Sequence, residues 1–356
     1  MSDKMIRKEG IGSYYHFENH ERFKDLTVSL DLNYNLFYTG RQALLYILNE
    51  INNSGNLSKI WFPNYYCQHT LAWIKKSYPN IHIYDINPFE FSFDVVNVSE
   101  FATKNDVVLI NNYWGLSSMK TDADDHGPTI VEDHSHGWLS DACLHSTADY
   151  CFVSLRKSLP IPLGGMYWKP NTTRLENDLN FKADTHFYKI WDTMLHAMTL
   201  KSDFIAGDTN SNSSKYLPLF YEVEEALNIY TDFVQLTKEH NHFIESYLHL
   251  DTRKIKETHL TYLYKKLQDT AYYKIIKRSG FTAFGLHLLF KDETDYNELK
   301  QFLVANHVYP SSLWPDNHLD LEWRYFLNIH IDYRYTIADM DGIIALIDTW
   351  LKNKIA

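Results

Sequence analysis

The chain has 356 residues, 45% hydrophobic and 22% charged, which is the composition of an ordinary globular protein with enough length for one large or two smaller domains. Its formal net charge of −11 argues against nucleic acid or a membrane surface as the main partner, because both need a basic field. Cys67, Cys143 and Cys151 show no paired spacing and the first residues form no apolar signal segment, so we expect reduced thiols and a cytoplasmic location.

The first half of the chain predicts an α/β fold. Residues 1 to 35 show no clear period and are expected to form an arm that packs over the body. A helix follows from Gly40 or Arg41 to about Asn52, and a second covers Cys67–Lys76. Short apolar strands between helical stretches are typical of a parallel sheet covered on both faces. The predicted strands are Ile60–Phe62, Ile81–Tyr84, Val107–Ile110, Thr129–Asp133, Tyr150–Val153 and one that follows Gly164 and Gly165.

The second half changes character. Residues 174–250 are predicted to be helix-rich with one break, the polar loop Gly207–Ser214. After them come a strand, a helix, a strand and a helix, at Thr282–Phe290, Thr294–Asn306, Arg324–His330 and Thr336–Leu351. We therefore predict a large α/β domain over residues 1–250, with a mainly parallel sheet, and a small α+β domain over residues 251–356.

Three features carry chemistry. Gly40 and Arg41 begin a helix, where free N–H groups, the helix dipole and a guanidinium all attract an anion. Asp133 ends an apolar strand, where it either serves a ligand or caps the next turn. Lys157 follows the strand Tyr150–Val153 and is either a surface lysine or a reactive amine. A phosphate site, a carboxylate and an amine are the contacts that pyridoxal 5'-phosphate needs.

With these features the sequence resembles the fold type I pyridoxal-phosphate enzymes, and among them the DegT-like sugar aminotransferases. The matching segments keep the family's order over most of the chain: Thr39–Arg41, Phe62–Cys67, Asn112–Gly115, Val131–Asp133, Ser154–Lys157 with Gly164 and Gly165, and Asp332–Tyr335. The resemblance implies a homodimer whose partner subunit contributes to the phosphate pocket. It also implies an aminotransferase that moves an amino group from an amino acid, glutamate or glutamine, to a keto group of a nucleotide-linked sugar for surface-polysaccharide biosynthesis.

The resemblance also assigns residues. Lys157 would form the Schiff base with the cofactor aldehyde and then act as general base and acid. Asp133 would pair with the pyridine nitrogen. The remaining predicted cofactor contacts are Gly40, Arg41 and Ser154 at the phosphate, Tyr66 as the stacking aromatic, and Asn112 and His136 beside the ring. For Ser154 the alternative is a serine that caps the turn.

Several alternatives stay open at this stage. Counting from Pro63 puts the stacking position on Cys67, a departure from the family. The loop after Lys157 lacks the family's usual acidic turn, which questions a nucleotide sugar more than it questions the cofactor. Asp133, His134 and His136 suggest a metal site, although their spacing fits no helix face. Arg334 would either meet a substrate carboxylate or be structural.

The reaction has two alternatives as well. The same cofactor supports elimination or carbon–sulfur cleavage instead of transamination. A non-catalytic relative that binds a regulator or partner is the second alternative, but it would have no need of a reactive lysine.

Overall fold

A computed structural model describes residues 7–55, 57–91, 95–124, 126–170, 183–229, 233–317 and 319–355. Within them a seven-stranded sheet has the order β1-β9-β8-β7-β5-β2-β3. These strands are β1 (Tyr34–Phe37), β2 (Ile60–Pro63), β3 (Ile81–Tyr84), β5 (Val107–Asn111), β7 (Thr129–Asp133), β8 (Tyr150–Ser154) and β9 (Gly165–Trp168). Six of them point in the same direction, and β9 is antiparallel to both of its neighbours. The predicted mainly parallel α/β architecture is confirmed.

Helices cover both faces of this sheet. Along β5, Val107 and Leu109 belong to one apolar cluster while Val108 and Ile110 belong to another, because successive side chains of a strand point to opposite faces. The helices are α1 (Gly40–Asn53), α2 (Gln68–Lys75), α3 (Asp141–Leu144), α4 (Thr185–Ala206), α5 (Ser213–Ile229) and α6 (Lys238–Leu248). A short parallel pair, β4 (Val95–Val96) and β6 (Lys120–Thr121), lies beside them.

The last hundred residues build a second, antiparallel sheet with the order β10-β11-β12. Its strands and helices are α7 (Arg253–Lys266), β10 (Tyr273–Ile276), β11 (Gly285–Phe290), α8 (Glu293–Ala305), β12 (Tyr325–His330) and α9 (Ile337–Ile355). The domain boundary after residue 250 falls between α6 and α7 and stays a prediction. No helix among the described residues is both long enough and apolar enough to span a bilayer.

The structure corrects three expectations. The prediction of a single break within residues 174–250 is wrong for the described part of that stretch. A second break separates α5, which ends at Ile229, from α6, which begins where the Thr237 side chain accepts a hydrogen bond from His240 N. Residues 174–182 lie outside the described residues. The strand predicted to begin at Thr282 begins at Gly285, because Phe284 N donates to Trp114 O and not to a carbonyl of a neighbouring strand. Helix α7 was not predicted from the sequence, because it buries only three side chains and so has little apolar periodicity.

The N-terminal arm contacts both sheets. Ile11 is fully buried and pairs with Val308, next to the antiparallel sheet. Farther along, Thr27 forms a bridge with Leu250. The arm therefore runs from the small sheet toward α6 before the chain enters β1.

Gly165 is the point of closest contact between β9 and the start of α1. A Cβ placed on it would lie 2.2 Å from the backbone C and O atoms of Thr39, and backbone cannot move aside as a flexible side chain can. We expect Gly165→Ala to lower the free energy of unfolding by about 1–3 kcal/mol through overpacking, as measured by urea titration.

Gly207 provides the control for that measurement. It ends α4 with a φ of 96°, and no heavy atom lies within 4 Å of its Cβ position. Gly207→Ala is therefore strained only by its backbone conformation. A loss at Gly165 no greater than the loss at Gly207 would contradict the packing argument.

Candidate functional site

The carboxyl ends of β7 and β8 lie against the N-terminus of α1. A Cβ on Gly40 would lie 3.0 Å from the Cβ of Ser154, so the helix start touches the end of β8. Ser154 N donates to Ser135 Oγ at 2.9 Å, and Ser135 N donates to Asp133 Oδ1 at 2.8 Å. One continuous path of contacts thus joins α1 to the carboxylate at the end of β7.

The start of α1 is arranged to leave N–H groups free. The Thr39 hydroxyl accepts a hydrogen bond from Gln42 N at 3.2 Å, and the Thr39 backbone N–H donates to Gln42 Oε1 at 3.1 Å, which makes a capping box. The N–H groups of Gly40 and Arg41 point out of the helix end, where an anion is stabilised. The Ser154 side chain makes no capping hydrogen bond to the turn after it, so the structure does not support the alternative that this serine caps the turn.

Two guanidinium groups lie beside this helix end. Arg156 donates to both carboxylate oxygens of Glu224, at 2.6 and 3.0 Å. Arg41 donates to Asn228 Oδ1 at 3.0 Å. Burial, and next the positive charge of Arg156, lower the pKa of Arg41. Only Arg156 is paired with a carboxylate, since Arg41 bonds to a neutral amide, so the region has a positive excess that suits a phosphate group.

Asp133 is buried and partnered on both oxygens. Its Oδ2 accepts a hydrogen bond from the Tyr66 hydroxyl at 2.6 Å. Burial, followed by the charge of Asp133, raises the pKa of Tyr66 well above its usual value, so the hydroxyl remains a donor. Tyr66 therefore meets the carboxylate with its hydroxyl group, and its predicted role in stacking stays a prediction.

Lys157 lies beside His136, with 3.4 Å between Nζ and Nε2. The imidazole stacks on Trp114 and Trp314, at 5.3 and 5.0 Å between ring centroids. Burial, then the charge of Lys157, lower the pKa of His136 well below its ordinary value, so the ring is neutral and offers a lone pair to the lysine. Both tryptophans have left-handed backbone conformations, with φ of 58° and 57°, a strain typical of functional sites.

Asn112 differs from the expectation. Its Nδ2 lies 3.2 Å from His134 Nδ1 and 3.1 Å from Ser140 Oγ, and a Cβ on Gly137 would lie 2.2 Å from it. The amide is thus packed beneath Gly137, and its hydrogen-bond partners are His134 and Ser140 and not Asp133 or Lys157. Its backbone N–H instead donates to Asp133 O at 2.9 Å, which makes Asn112 a support of the carboxylate's strand end.

The metal alternative at Asp133, His134 and His136 is not supported, because the two imidazoles point to different partners. His134 Nε2 lies 2.9 Å from Glu132 Oε2. Ser146 Oγ donates to the same carboxylate oxygen at 2.6 Å, and Cys151 Sγ lies 3.7 Å from it. The ligand atoms of Glu132, His134 and Cys151 all lie within 4.8 Å of one another, but hydrogen bonds already partner this buried carboxylate.

A cavity of about 670 Å³ opens beside Lys157 and His136. The arm, α4 and α5 line its outer part with a mixture of polar, aliphatic and aromatic side chains, and Tyr14 stacks on Phe220 with 4.4 Å between ring centroids. Small-domain residues line its inner part: Phe284, Ser311, Leu313, Asn328 and His330. The lysine therefore faces an aqueous chamber large enough for a small-molecule substrate.

Arg334 is structural. It donates to Asp332 Oδ2 at 2.6 Å and to the backbone oxygens of Ser13 and Tyr14 at 3.1 and 2.9 Å. Its guanidinium also lies 4.3 Å from the Tyr15 ring centroid. These contacts occupy the donors that a substrate carboxylate would need, so of the two interpretations of Arg334 the structure favours the arm anchor.

Sequence reasoning missed several residues around the lysine. Trp314 lies in the loop between α8 and β12, but the chain is so rich in aromatic residues that no single ring was informative. Glu224 and Asn228 lie on α5, far in sequence from every segment that matches the family. No sequence pattern could identify them, because their hydrogen bonds to Arg156 and Arg41 arise only from the fold.

Comparisons with solved structures show the fold. The chain aligns over 96% of its length with 94% of Spr1654 from Streptococcus pneumoniae, provisionally assigned as a sugar aminotransferase and solved in its PMP form, at 10% identity and a TM-score of 0.59. It aligns over 89% of its length with 87% of the sugar aminotransferase CalS13 from Micromonospora echinospora, at 12% identity and 0.52. A NifS-like protein from Rickettsia africae matches at 11% identity and 0.51, over 94% of this chain and 86% of that one.

No protein-family model and no curated protein matches the chain. The structural likeness alone confirms the predicted fold type I architecture, which the chain shares with the sugar aminotransferases.

Replacing the buried carboxylate of Glu132 tests its hydrogen-bond network. We expect Glu132→Ala to lower the free energy of unfolding by about 1–3 kcal/mol, because His134 and Ser146 lose their acceptor inside the protein. Glu132→Gln keeps an acceptor oxygen and should lose less. Urea titration checks this, with the exposed Glu322→Ala as the control that should change little. Equal stability of Glu132→Ala and the control would contradict the network.

The neutral buried histidines predict acid sensitivity. Burial lowers the pKa of His16, His287 and His330 to about 3. The unfolded chain binds these protons near pH 6.5, so stability falls as the pH drops below that value. Between pH 7.5 and 5.5 the loss is about 1 kcal/mol for each ring. Urea titrations across this range measure it; His287→Leu should weaken the dependence, and the exposed His196→Gln should not.

Proposed function

We propose that this protein is an aminotransferase that uses pyridoxal 5'-phosphate. The observation that carries the proposal is the path of contacts that joins the start of α1, through Ser154 and Ser135, to Asp133, with Lys157 three residues after Ser154. Lys157 supplies the amine, Asp133 the carboxylate, and Gly40 with Arg41 the helix end. The structural likeness to sugar aminotransferases supports the same reaction.

The described residues fit this cofactor. Gly40, Arg41 and Ser154 would hold the phosphate, where Gly40 leaves room against Ser154 and the local charge is positive. Asp133 would hold the protonated pyridine nitrogen, with Tyr66 keeping the carboxylate in place. The Nδ1 atom of His136 is buried and has no partner among the described residues, so it is free for a polar group of the cofactor or substrate.

When bound, the cofactor supplies an aldehyde and an electron-accepting ring. Lys157 moves the proton at the substrate Cα, first as base and then as acid. His136 is neutral and accepts from the Lys157 amine, so it orients that amine without adding positive charge. Tyr14 and Tyr15 of the arm line the chamber beside Lys157 and limit the access of bulk water to the reacting atoms.

The amino donor in this proposal is glutamate or glutamine, and the acceptor is a keto group on a nucleotide-linked sugar of surface-polysaccharide biosynthesis. Aromatic side chains in the outer chamber support a sugar or base ring as ligand, because rings with C–H faces pack well on them. Donor and acceptor would use the chamber in turn, which gives ping-pong kinetics.

The proposal includes a cytoplasmic homodimer without nucleic acid or membrane as partner. The net charge of −11 and the three unpaired cysteines support the location and the absence of those partners. Tyr221 and Ile229 on α5 are 57% and 69% exposed, which supports a second subunit on that side of the molecule. Light scattering after size exclusion measures the assembly.

The absorbance spectrum between about 300 and 500 nm tests the reaction. Protein incubated with the cofactor should gain an absorbance band at visible wavelengths. Glutamate should convert this spectrum to that of the amine form of the cofactor. Lys157→Ala should lose this conversion by a factor of at least about 10². The surface variant Lys291→Ala is the control and should behave as wild type.

Other outcomes separate the alternatives. An amine form that never accumulates, together with release of a keto product, would indicate elimination or cleavage instead of transamination. A protein that stays colourless with the cofactor would overturn the catalytic proposal and leave a binding relative of the fold.

A further inference from the structure

One face of the small sheet looks across the chamber toward Lys157. Opposite residues of antiparallel strands share a face, and the register pairs Gly285 with His330 and His287 with Asn328. Phe326 is on the same face and stacks on Trp114 at 4.2 Å. The polar side chains of this face are therefore directed to the large domain and its lysine.

Asn328 on that face has an unused acceptor. The side chain is only 1% exposed, and its Nδ2 donates to Ser311 Oγ at 3.0 Å. Its Oδ1 forms no well-aligned hydrogen bond within the described part of the chain, and its nearest polar neighbour across the strand pair is the His287 ring. A Cβ at Gly285 would lie 2.3 Å from this oxygen, so the glycine provides the room that the amide occupies. An unpartnered buried carbonyl is costly unless a ligand supplies a donor.

His330 offers a second acceptor in the same chamber. Its Nδ1 lies 3.6 Å from Asp332 Oδ2, which favours the proton on Nδ1. Its Nε2 is buried and has no partner among the described residues. Burial keeps the ring neutral at pH 7 by lowering its pKa to about 3, so Nε2 presents a lone pair. Asn328 and His330 both line the chamber that contains Lys157.

Two lone pairs without donors identify the ligand chemistry. A carboxylate has only acceptors and cannot satisfy them, whereas a hydroxyl group can donate to each. We propose that Asn328 and His330 are specificity-determining residues that bind hydroxyl groups next to the keto group of the acceptor. This inference rests on the proposed aminotransferase function and adds the part of the acceptor that the small domain recognises.

Two small ketones that differ only in hydroxyl groups test the inference. The cofactor-loaded enzyme is first converted to its amine form with glutamate, and its return is followed by absorbance with dihydroxyacetone or acetone as the acceptor. Wild type should prefer dihydroxyacetone by at least about tenfold per hydrogen bond. Asn328→Leu and His330→Phe should each lower the preference by about that factor.

Conservative variants and a control guard against a general structural effect. His330→Gln keeps an acceptor oxygen and should retain most of the preference. His196→Phe replaces an exposed histidine on α4 and should leave it unchanged. In a Lys157→Ala background, saturation-transfer NMR measures binding without reaction, and the signal of dihydroxyacetone should fall when Asn328→Leu is added.

The outcomes are distinct. No amine form with glutamate would overturn the proposed function itself. An amine form that returns equally fast with both ketones, or a preference that both variants retain, would overturn the hydroxyl-binding role. A loss of preference in His330→Gln as large as in His330→Phe would also overturn it, because that result would indicate packing and not hydrogen bonding.

Discussion

The close packing of β9 and β8 against the first turn of α1 is the constraint on which the site depends. Gly165 lets the β9 backbone touch Thr39, and Gly40 lets the helix start touch Ser154. Neither contact has space for a side chain. Because the helix end is fixed at this edge of the sheet, its free N–H groups lie beside the carboxyl ends of the strands that carry Asp133 and Lys157. The start of α1, Asp133 and Lys157 are thereby brought to one edge of the sheet without any long loop.

Much of the large domain could be predicted from the sequence, because its strands are short, apolar and separated by clear turns. Ile81–Tyr84 matches β3 in both bounds. The elements that could not be predicted have physical reasons for this. Helix α7 buries few side chains and so has little apolar periodicity, and the break before α6 depends on a single capping threonine.

The candidate site could be predicted only in part. Motif order and strand ends predicted Lys157, Asp133 and the start of α1 as site residues, since their chemistry is local to short segments. The side-chain direction of Asn112 could not be predicted, because it depends on the space under Gly137, which no local pattern shows. Arg334 remained ambiguous for a similar reason: its partners are backbone oxygens of the arm, more than 300 residues away in sequence.

The arm has a practical consequence. The Tyr15 hydroxyl donates to Ser158 O at 3.3 Å, one residue after Lys157, and Gly12 to Tyr15 are held by Lys201, Arg334 and Tyr335. A purification tag or fusion partner at the amino terminus would precede a segment that borders Lys157. A tag that follows α9 extends from a helix end whose Lys352 and Asn353 are exposed, far along the chain from these contacts. Activity measurements on this protein are therefore best made with the fusion at the carboxyl terminus.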